Sequence, residues 1–384
     1  MYRRGMAIVK RENSHRKISE DFDISRNLCY VSPALGRNYK RKVVAKMVKQ
    51  SQSIAPLTQD KIKSLIFGHA IGDALGVPVE FKSRERLEEK PVMEMRGFGN
   101  YNVPAGTWSD DTSMTLCLLE SIGRLGTVDY KDIMQNFVRW MDYSDFTATG
   151  TMFDIGIATR RALMQFQPKS KLIPAVEPIK CGGTGENDNG NGSLMRISPM
   201  SLYLYHKSGN NLTAEDLELV HNVSKLTHGH VRSQMACGIY TLIALELINE
   251  KALAAAVKTG VKKAQDFYSI QDEFANEINT YSRIWNIESL AKLPDYYIKS
   301  TGYVVDTLES VIWCLLNTDN YAEAVLKAVN LGEDTDTIGA ITGGLAGLAY
   351  GIKNIPPNWK QELQRSDYIE ELCLDFGQRL GIDR

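Results

Sequence analysis

The sequence predicts an all-α fold with an N-terminal extension. From about residue 57 onward apolar residues recur mostly at helical spacing, and few alternating β-branched runs compete with them. The first fifty residues differ from the rest in charge and patterning. The chain has 384 residues, 43% of them hydrophobic, which is ample for a buried core.

Residues 1 to 50 carry 13 Lys/Arg against 4 Asp/Glu, or +9, whereas residues 51 to 384 carry 32 against 42, or -10. The first segment is interrupted by "SPALGRN" and ends in the polar stretch "KQSQSIAPLTQ". Residues 1–56 are therefore expected to be a basic appended arm, and residues 57–384 one all-α domain. The start "MYRRGMAIVKRENSHRK" lacks the apolar core and small-residue cleavage site of a secretory signal, and no run of 18 apolar residues occurs. The expected location is the cytoplasm, with no membrane partner. Six scattered cysteines (29, 117, 181, 237, 314, 373) form no C-x-x-C pair and are expected to be reduced, mostly buried thiols.

Within the domain, "DKIKSLIFGHAIGDALG" places Ile62, Leu65, Ile66, Ala70 and Ile71 on a helical face. "DDTSMTLCLLESIGRL" does the same with Met114, Leu118, Ile122 and Leu125. Further helices are predicted at 130–142, 154–165, 214–226, 231–249, 251–259, 271–284, 302–316, 321–330 and 360–380. Gly/Asn-rich loops are predicted at 96–107 and 181–193.

Two acidic clusters carry the chemistry, "GTWSDDTSM" at 106–114 and "GEDTDTIG" at 332–339. Either one alone reads as a helix start, where Ser, Thr and Asp cap free amides and negative charge suits the helix dipole. Together, Asp110, Asp111, Asp334 and Asp336 are more carboxylates than two caps need. Carboxylate plus hydroxyl oxygen without Cys or His suits hard cations such as Mg²⁺ or Mn²⁺. If the two helix mouths converge, a two-metal site follows, with the cations offsetting repulsion among the acids and activating a water.

Glycine spacing speaks for convergence. Gly339, Gly343, Gly347 and Gly351 recur every fourth residue behind the second cluster, and Gly68, Gly72 and Gly76 do so in "GHAIGDALG". Each helical glycine costs up to about 1 kcal/mol relative to alanine, which close packing of another backbone offsets. Two such faces are able to bring helix axes unusually close, although the spacing alone does not say that they meet each other.

Other polar segments admit plainer readings. "ENDNGNGSLMRISPM" is no EF-hand, because the twelfth position from Asp188 is Pro199. Its glycine-rich loop either presents amides to a phosphate or makes an ordinary turn. By default His228 and His230 are structural, Tyr303 is a core aromatic, and Asp154 starts a helix.

In order along the chain, "GHAIGDALGVPVEF", "GTWSDDTSMTL", "TGTMFDIGIATRRAL", "GNGSLMRISPM", "LTHGH", "STGYVVDTLESVIW" and "NLGEDTDTIGAITGGLAGLAYG" resemble the ADP-ribosylglycohydrolase family, from about residue 57 to the C-terminus. The resemblance implies a compact orthogonal multi-helix bundle. It also implies a dinuclear magnesium or manganese site that removes ADP-ribose from modified protein side chains. Ser109, Asp110, Asp111, Asp334, Asp336 and Thr337 would then be metal ligands. Ser109 stands where many relatives have Thr, and Glu333 where they often have Gly. Glu80 would lie beside the metals. Asp154 would lie near the leaving group, where pairing with a guanidinium favours ADP-ribosyl-arginine as substrate. Asp111 and Asp336, with Glu80 and Asp154, are the candidates for catalysis. Gly190, Asn191, Gly192 and Ser193 would contact the diphosphate or ribose, His228 the ribose-phosphate region, and Tyr303 the nucleotide by stacking. An activated water would attack the anomeric carbon through an oxocarbenium-like transition state as the C–N bond breaks, with an Asp assisting proton transfer.

Two readings compete with catalysis. A haloacid-dehalogenase phosphatase also uses D-x-D, but there the pair ends an early hydrophobic strand, whereas here it is late and helical. A non-catalytic protein binding ADP-ribose or a toxin remains an alternative, against which the retained acids weigh. The arm shows no nucleic-acid motif. Its layout resembles immunity proteins against ADP-ribosyltransferase toxins, which makes such a toxin the leading expected partner beside the ADP-ribosylated substrate.

Overall fold

The computed structural model describes residues 54–382. Most of the expected arm, with Cys29, lies outside the described residues, as do residues 383–384. Among the described residues there is no β-strand, only isolated bridges pairing Gly183 with His228 and Gly190 with Tyr303.

Among the described residues, twelve helices of nine or more residues build the domain. They are α1 (Gln59–Gly76), α2 (Asp110–Leu125), α3 (Tyr130–Tyr143), α4 (Ile157–Phe166), α5 (Ser198–Ser208), α6 (Ala214–Lys225), α7 (Val231–Ile248), α8 (Leu253–Tyr268), α9 (Val304–Leu316), α10 (Tyr321–Val329), α11 (Thr335–Tyr350) and α12 (Ser366–Arg379). The all-α expectation is met. Five cysteines, at 117, 181, 237, 314 and 373, are free and buried.

Local chemistry explains the boundaries. The Thr58 side chain accepts from the Lys61 amide to start α1, Asp129 accepts from Lys131 and Asp132 to start α3, and Thr213 and Asp216 form a capping box on α6. Gly126, at φ 70, ends α2 in the left-handed conformation that glycine adopts without strain. The amphipathic α3 turns Ile133, Met134, Phe137 and Trp140 inward.

Helices α1, α7 and α11 form the centre. Segments Gln59–Val79 and Val231–Ile248 are long and apolar enough to cross a membrane, yet 94% and 89% of the apolar windows are buried inside this fold. Their all-round hydrophobicity therefore belongs to core helices. Helix α11 lies between α1 and α10, α8 covers α7, and α2 is held between α3 and α12.

Three local expectations fail for identifiable reasons. Helix α5 was not expected; Pro199 sits in its first turn, where a missing N–H costs nothing. The expected helix at 271–284 is instead two 3-10 turns and one short helical turn, Ser282–Trp285. There Thr280 bonds Glu277 at 3.0 Å, and the Trp285 indole donates to the Ile278 carbonyl at 2.6 Å. The expected helix at 360–380 breaks at Arg365, whose φ is 47. The break lets the Gln364 amide donate to the Gly106 carbonyl at 3.0 Å and the Arg365 guanidinium to the Thr147 carbonyl at 2.8 Å.

Candidate active site

The two glycine ridges meet each other. A Cβ on Gly68 or Gly72 would collide with the carbonyl of Gly343 or Gly339, and one on Gly76 would strike the backbone of Asp336. Reciprocally, a Cβ on Gly339 would lie 2.5 Å from the Gly72 oxygen. Gly351 does not belong to the ridge: it ends α11 with φ 83 and nothing within 4 Å of where its Cβ would be. The Thr335 hydroxyl donates to the Gly76 carbonyl at 2.8 Å. The end of α1 therefore abuts the start of α11, which carries Asp334 and Asp336.

A residue the sequence reading passed over, Asp73 of α1, brings in the other acidic cluster. Its carboxylate accepts from the Ser109 amide at 2.9 and 3.1 Å, the Thr112 amide at 3.0 Å and the Thr112 hydroxyl at 2.6 Å. It thus satisfies the free amides that begin α2 from another helix. Ser109 caps the same helix, accepting from the Asp111 amide while its hydroxyl donates to Asp111 Oδ2 at 3.0 Å. The Thr337 hydroxyl donates to that oxygen too, at 3.3 Å, and joins the two clusters directly.

Glu80, Asp334 and Asp336 complete the pocket, offering carboxylate oxygens within 4.8 Å of one another. Asp154, in the loop before α4, lines a small recess with Ser109 and Asp110. Asn191 reaches in from the glycine-rich loop, its amide donating to Asp334 Oδ2 at 2.6 Å and to the Thr307 hydroxyl at 3.0 Å. Tyr101, also unforeseen, has its hydroxyl pKa raised by burial and by the charges of Glu80 and Asp154 beside it.

Burial, then mutual repulsion, drives these carboxyls toward their neutral forms. Asp110, Asp111 and Asp336 are held well above the usual carboxylate range, and Asp154 and Asp334 are raised mainly by burial. Burial and the neighbouring Asp154 push Glu80 up to about 8. Burial pushes Asp73 up to about 7 against its hydrogen bonds from Thr112 and Ser109.

A hard divalent cation fits this pocket. Glu80 Oε2 and Asp111 Oδ1 are buried without a hydrogen-bond partner, and the facing donors are carboxylate and hydroxyl oxygens. A pH signature follows. The carboxyls of Asp73 and Glu80 rise from ordinary values of 3.8 and 4.5, so the stability they contribute is full below about pH 4 and is lost as pH rises through 7 to 8. In EDTA the protein should melt lower at about pH 8.5 than at about pH 5.5. Mg²⁺ or Mn²⁺ should narrow that difference, since a hundredfold excess over Kd contributes about 2.7 kcal/mol. Differential scanning fluorimetry checks this; a melting temperature indifferent to both metals at the higher pH would count against a cation site.

The remaining sequence candidates form the wall beside this pocket. The Asn191 amide donates to the Gly302 carbonyl, and the Val304 amide to the Asn189 carbonyl, both at 3.0 Å, which stitches the loop to Tyr303 at the start of α9. Arg232 lies over the half-buried Tyr303 ring at 5.7 Å. His228 lies behind the loop, 2.8 Å from the Thr227 hydroxyl through Nδ1, and burial lowers its imidazole to about 3. A Cβ on Gly192 would come within 2.8 Å of that ring, so a side chain there would displace the histidine or the loop. Ser193 faces inward, accepting from the Ser224 hydroxyl at 2.9 Å. Arg196, not anticipated, is fully buried; it donates to the Gly192 and Val223 carbonyls and lies over the Phe137 ring at 5.0 Å.

A helical bundle that draws acids and hydroxyls from two helix starts into one buried cluster belongs to the class of scaffolds suited to hard-cation chemistry. The family model described as ADP-ribosylglycohydrolase matches residues 55–382, and the chain belongs to that family. It is 32% identical over 327 residues to the ADP-ribosylarginine hydrolase Tri1 of Serratia proteamaculans, covering 85% of this chain and 80% of that one. It is 29% identical to the glycohydrolase of ADP-ribosyl dinitrogen reductase from Rhodospirillum rubrum, covering 80% and 92%. A solved structure titled as an ADP-ribosylglycohydrolase-related protein complex superposes with a TM-score of 0.66 at 29% identity, over 84% of this chain and 98% of that one.

Proposed function

We propose that the protein hydrolyses the N-glycosidic bond of ADP-ribosyl-arginine on modified proteins. The observation that carries this reading is the convergence of Asp110, Asp111, Asp334 and Asp336, through Asp73 and the glycine contact, beside a further carboxylate, Asp154. Ser109, Asp110, Asp111, Asp334, Asp336 and Thr337 are the proposed ligands of two Mg²⁺ or Mn²⁺ ions. When bound, such ions would supply Lewis acidity toward substrate oxygens and would make water a competent nucleophile at neutral pH.

The chain's own groups do the rest. Asp154 pairs with the arginine guanidinium as it leaves, and the neighbouring Glu80 shapes the pocket beside the metals. Asp111 and Asp336 are the candidates for moving the proton of the attacking water. Gly190 to Ser193, backed by His228 and clamped by Arg196, present the loop that receives the diphosphate, and Tyr303 offers its ring to the nucleotide.

Incubation with arginine-, serine- and thymidine-linked ADP-ribose should release ADP-ribose from the arginine linkage, with Mg²⁺ and not with EDTA. Release from none of the three would favour a binding protein on the same fold. The proposed partner of the basic N-terminal segment is a cognate ADP-ribosyltransferase toxin in the cytoplasm. Deleting residues 1 to 50 should leave hydrolysis unchanged and weaken toxin binding at least about tenfold, the loss expected when a few charged contacts disappear. Equal affinity of the truncated chain in a calorimetric titration would refute a role for the segment.

A further inference from the structure

Helix α7 begins with a cation that its own dipole disfavours. Arg232 stands in the first turn, where positive charge meets the positive end of the helix. The His230 side chain caps that turn, accepting from the Arg232 amide at 3.2 Å. What holds the guanidinium there is a carboxylate from outside the helix. Its Nε donates to Glu277 Oε2 at 2.7 Å and its Nη2 to Oε1 at 3.1 Å, and the two side chains are only 12% and 13% exposed. The Thr280 hydroxyl donates to the same carboxylate at 3.0 Å, and the Tyr281 hydroxyl donates to the Arg232 carbonyl at 2.5 Å. The turns that replace the expected helix at 271–284 thus deliver Glu277, Thr280 and Tyr281 to one arginine.

A nearly enclosed ion pair contributes little net stability, because desolvation of both charges offsets most of their attraction. Two parallel hydrogen bonds do something else: they fix the plane and position of the guanidinium. The group so fixed lies over the half-buried Tyr303 ring, with Cζ 5.7 Å from the centroid, so one face of that ring is covered by protein. The ring stands at the acidic pocket, since a Cβ on the preceding Gly302 would lie 3.3 Å from Asp334 Oδ2. Backbone bonds fix where the ring is attached: the Tyr303 amide donates to the Thr301 hydroxyl at 3.2 Å, and the Thr307 amide donates to the Tyr303 carbonyl at 3.0 Å. Arg232 meets the ring itself.

We infer that Arg232, locked by Glu277, is the positioning residue that holds the Tyr303 ring ready to stack on the adenine of the substrate, and so sets the preference for an adenosine-bearing ligand. This rests on the proposed ADP-ribosyl substrate and names the residues that fix its nucleotide half. Arg232 takes one face of the ring and the base takes the other. Affinity is gained because the wall is in place before the ligand arrives, so less ordering is left for binding to offset.

The test uses the full chain with Mg²⁺ and two ligands, ADP-ribose and ribose 5-phosphate, the second lacking the AMP portion of the first. Calorimetric titration gives their affinities, and KM and kcat on ADP-ribosyl-arginine are measured alongside. Arg232→Met should raise the Kd for ADP-ribose and the KM for ADP-ribosyl-arginine about tenfold, with kcat within about twofold and the affinity for ribose 5-phosphate unchanged. Arg232→Lys keeps the cation without the two-pronged grip and should fall between Arg232→Met and the wild type. Glu277→Gln should weaken ADP-ribose in the same selective way, which keeps the test open should Arg232→Met fold poorly. Tyr303→Leu should itself weaken ADP-ribose by about tenfold or more, and in that background Arg232→Met should cost nothing further. A loss that persists there would overturn the inference, because it would put the guanidinium on the diphosphate directly. So would an equal loss on ribose 5-phosphate, or a fall in kcat at constant KM. Binding is read without turnover, so a chain that binds ADP-ribose and cuts no linkage sinks the substrate assignment alone. Wild-type affinity in Arg232→Met sinks this inference alone, and a wild type that does not bind ADP-ribose sinks both.

Discussion

Asp336→Asn should lower kcat/KM on ADP-ribosyl-arginine by at least about a thousandfold, the upper end of losses seen when one preorganised electrostatic group is removed. The substitution keeps the shape of the side chain, and the neighbouring Thr337 amide, now donating to Asp336 Oδ1 at 2.9 Å, can still donate to the amide oxygen. What changes is charge. Burial first, and then repulsion from Glu80, Asp111, Asp334 and Asp73, holds the Asp336 carboxyl well above the usual range. Removing that charge relieves strain in the metal-free protein while weakening the grip on a cation. The melting temperature in EDTA should therefore stay level or rise, the helical CD signal should be unchanged, and the stabilisation by Mg²⁺ should shrink. Asp110→Ala should likewise abolish turnover. Near-normal turnover by either variant would remove that residue from the metal site.

The second large effect is steric. Gly343→Ala should destabilise the protein by about 3 kcal/mol or more, at or beyond the usual range for overpacking, because the new methyl meets the Gly68 carbonyl and Gly72 Cα instead of a movable side chain. Its neighbour supplies the control. A Cβ on Gly344 meets Leu65 Cδ1 and the Tyr240 hydroxyl at 3.3 Å, both ends of side chains. Alanine there also gains about 1 kcal/mol of helix propensity, so Gly344→Ala should lie within about 1 kcal/mol of wild type. Chemical denaturation of the two variants decides the point; equal stability would mean that the α1–α11 contact tolerates separation. Because the same contact aligns the Asp334–Asp336 turn with Asp73, the Gly343 variant should also lose activity in proportion to its loss of metal binding.

Much of this arrangement was legible before any coordinates. The Gly68–Gly76 and Gly339–Gly347 spacings pointed to close backbone approach, and the two acidic clusters pointed to hard-cation chemistry, because propensity cost and ligand type are written in residue identity. What the spacing did not say was how the clusters find each other. Asp73 supplies that link, and its trace in the sequence is a lone carboxylate in an otherwise apolar helical stretch, a pattern that capping at a distance explains only once the partner helix is known. Tyr101 and Arg196 left no local trace, since Tyr101 lies beside Glu80 and Asp154 and Arg196 reaches the Val223 carbonyl, all more than twenty residues away in the chain. The loop at 181–193 was foreseen as polar and glycine-rich, but the inward turn of Ser193 depends on Ser224, which periodicity does not connect to it. Glu333 shows how tertiary bonds override a local preference: at φ 60 it occupies backbone that suits glycine, and bonds to Phe81 and Lys82 keep it there.

The bond from Thr335 to Gly76 also sets an order of events during synthesis, since it spans 259 residues of chain. A ribosome delivering this protein from the N-terminus releases α1 and Asp73 long before their partner exists. The glycine face of α1 must wait, exposed, until α11 has emerged. Folding of this centre is therefore governed by non-local closure and should be slow relative to the local helices around it. The delay has a chemical benefit. No nascent fragment that stops short of Asp334 holds both halves of the acidic pocket, so the competence to sequester a cation arrives only once α11 has joined α1.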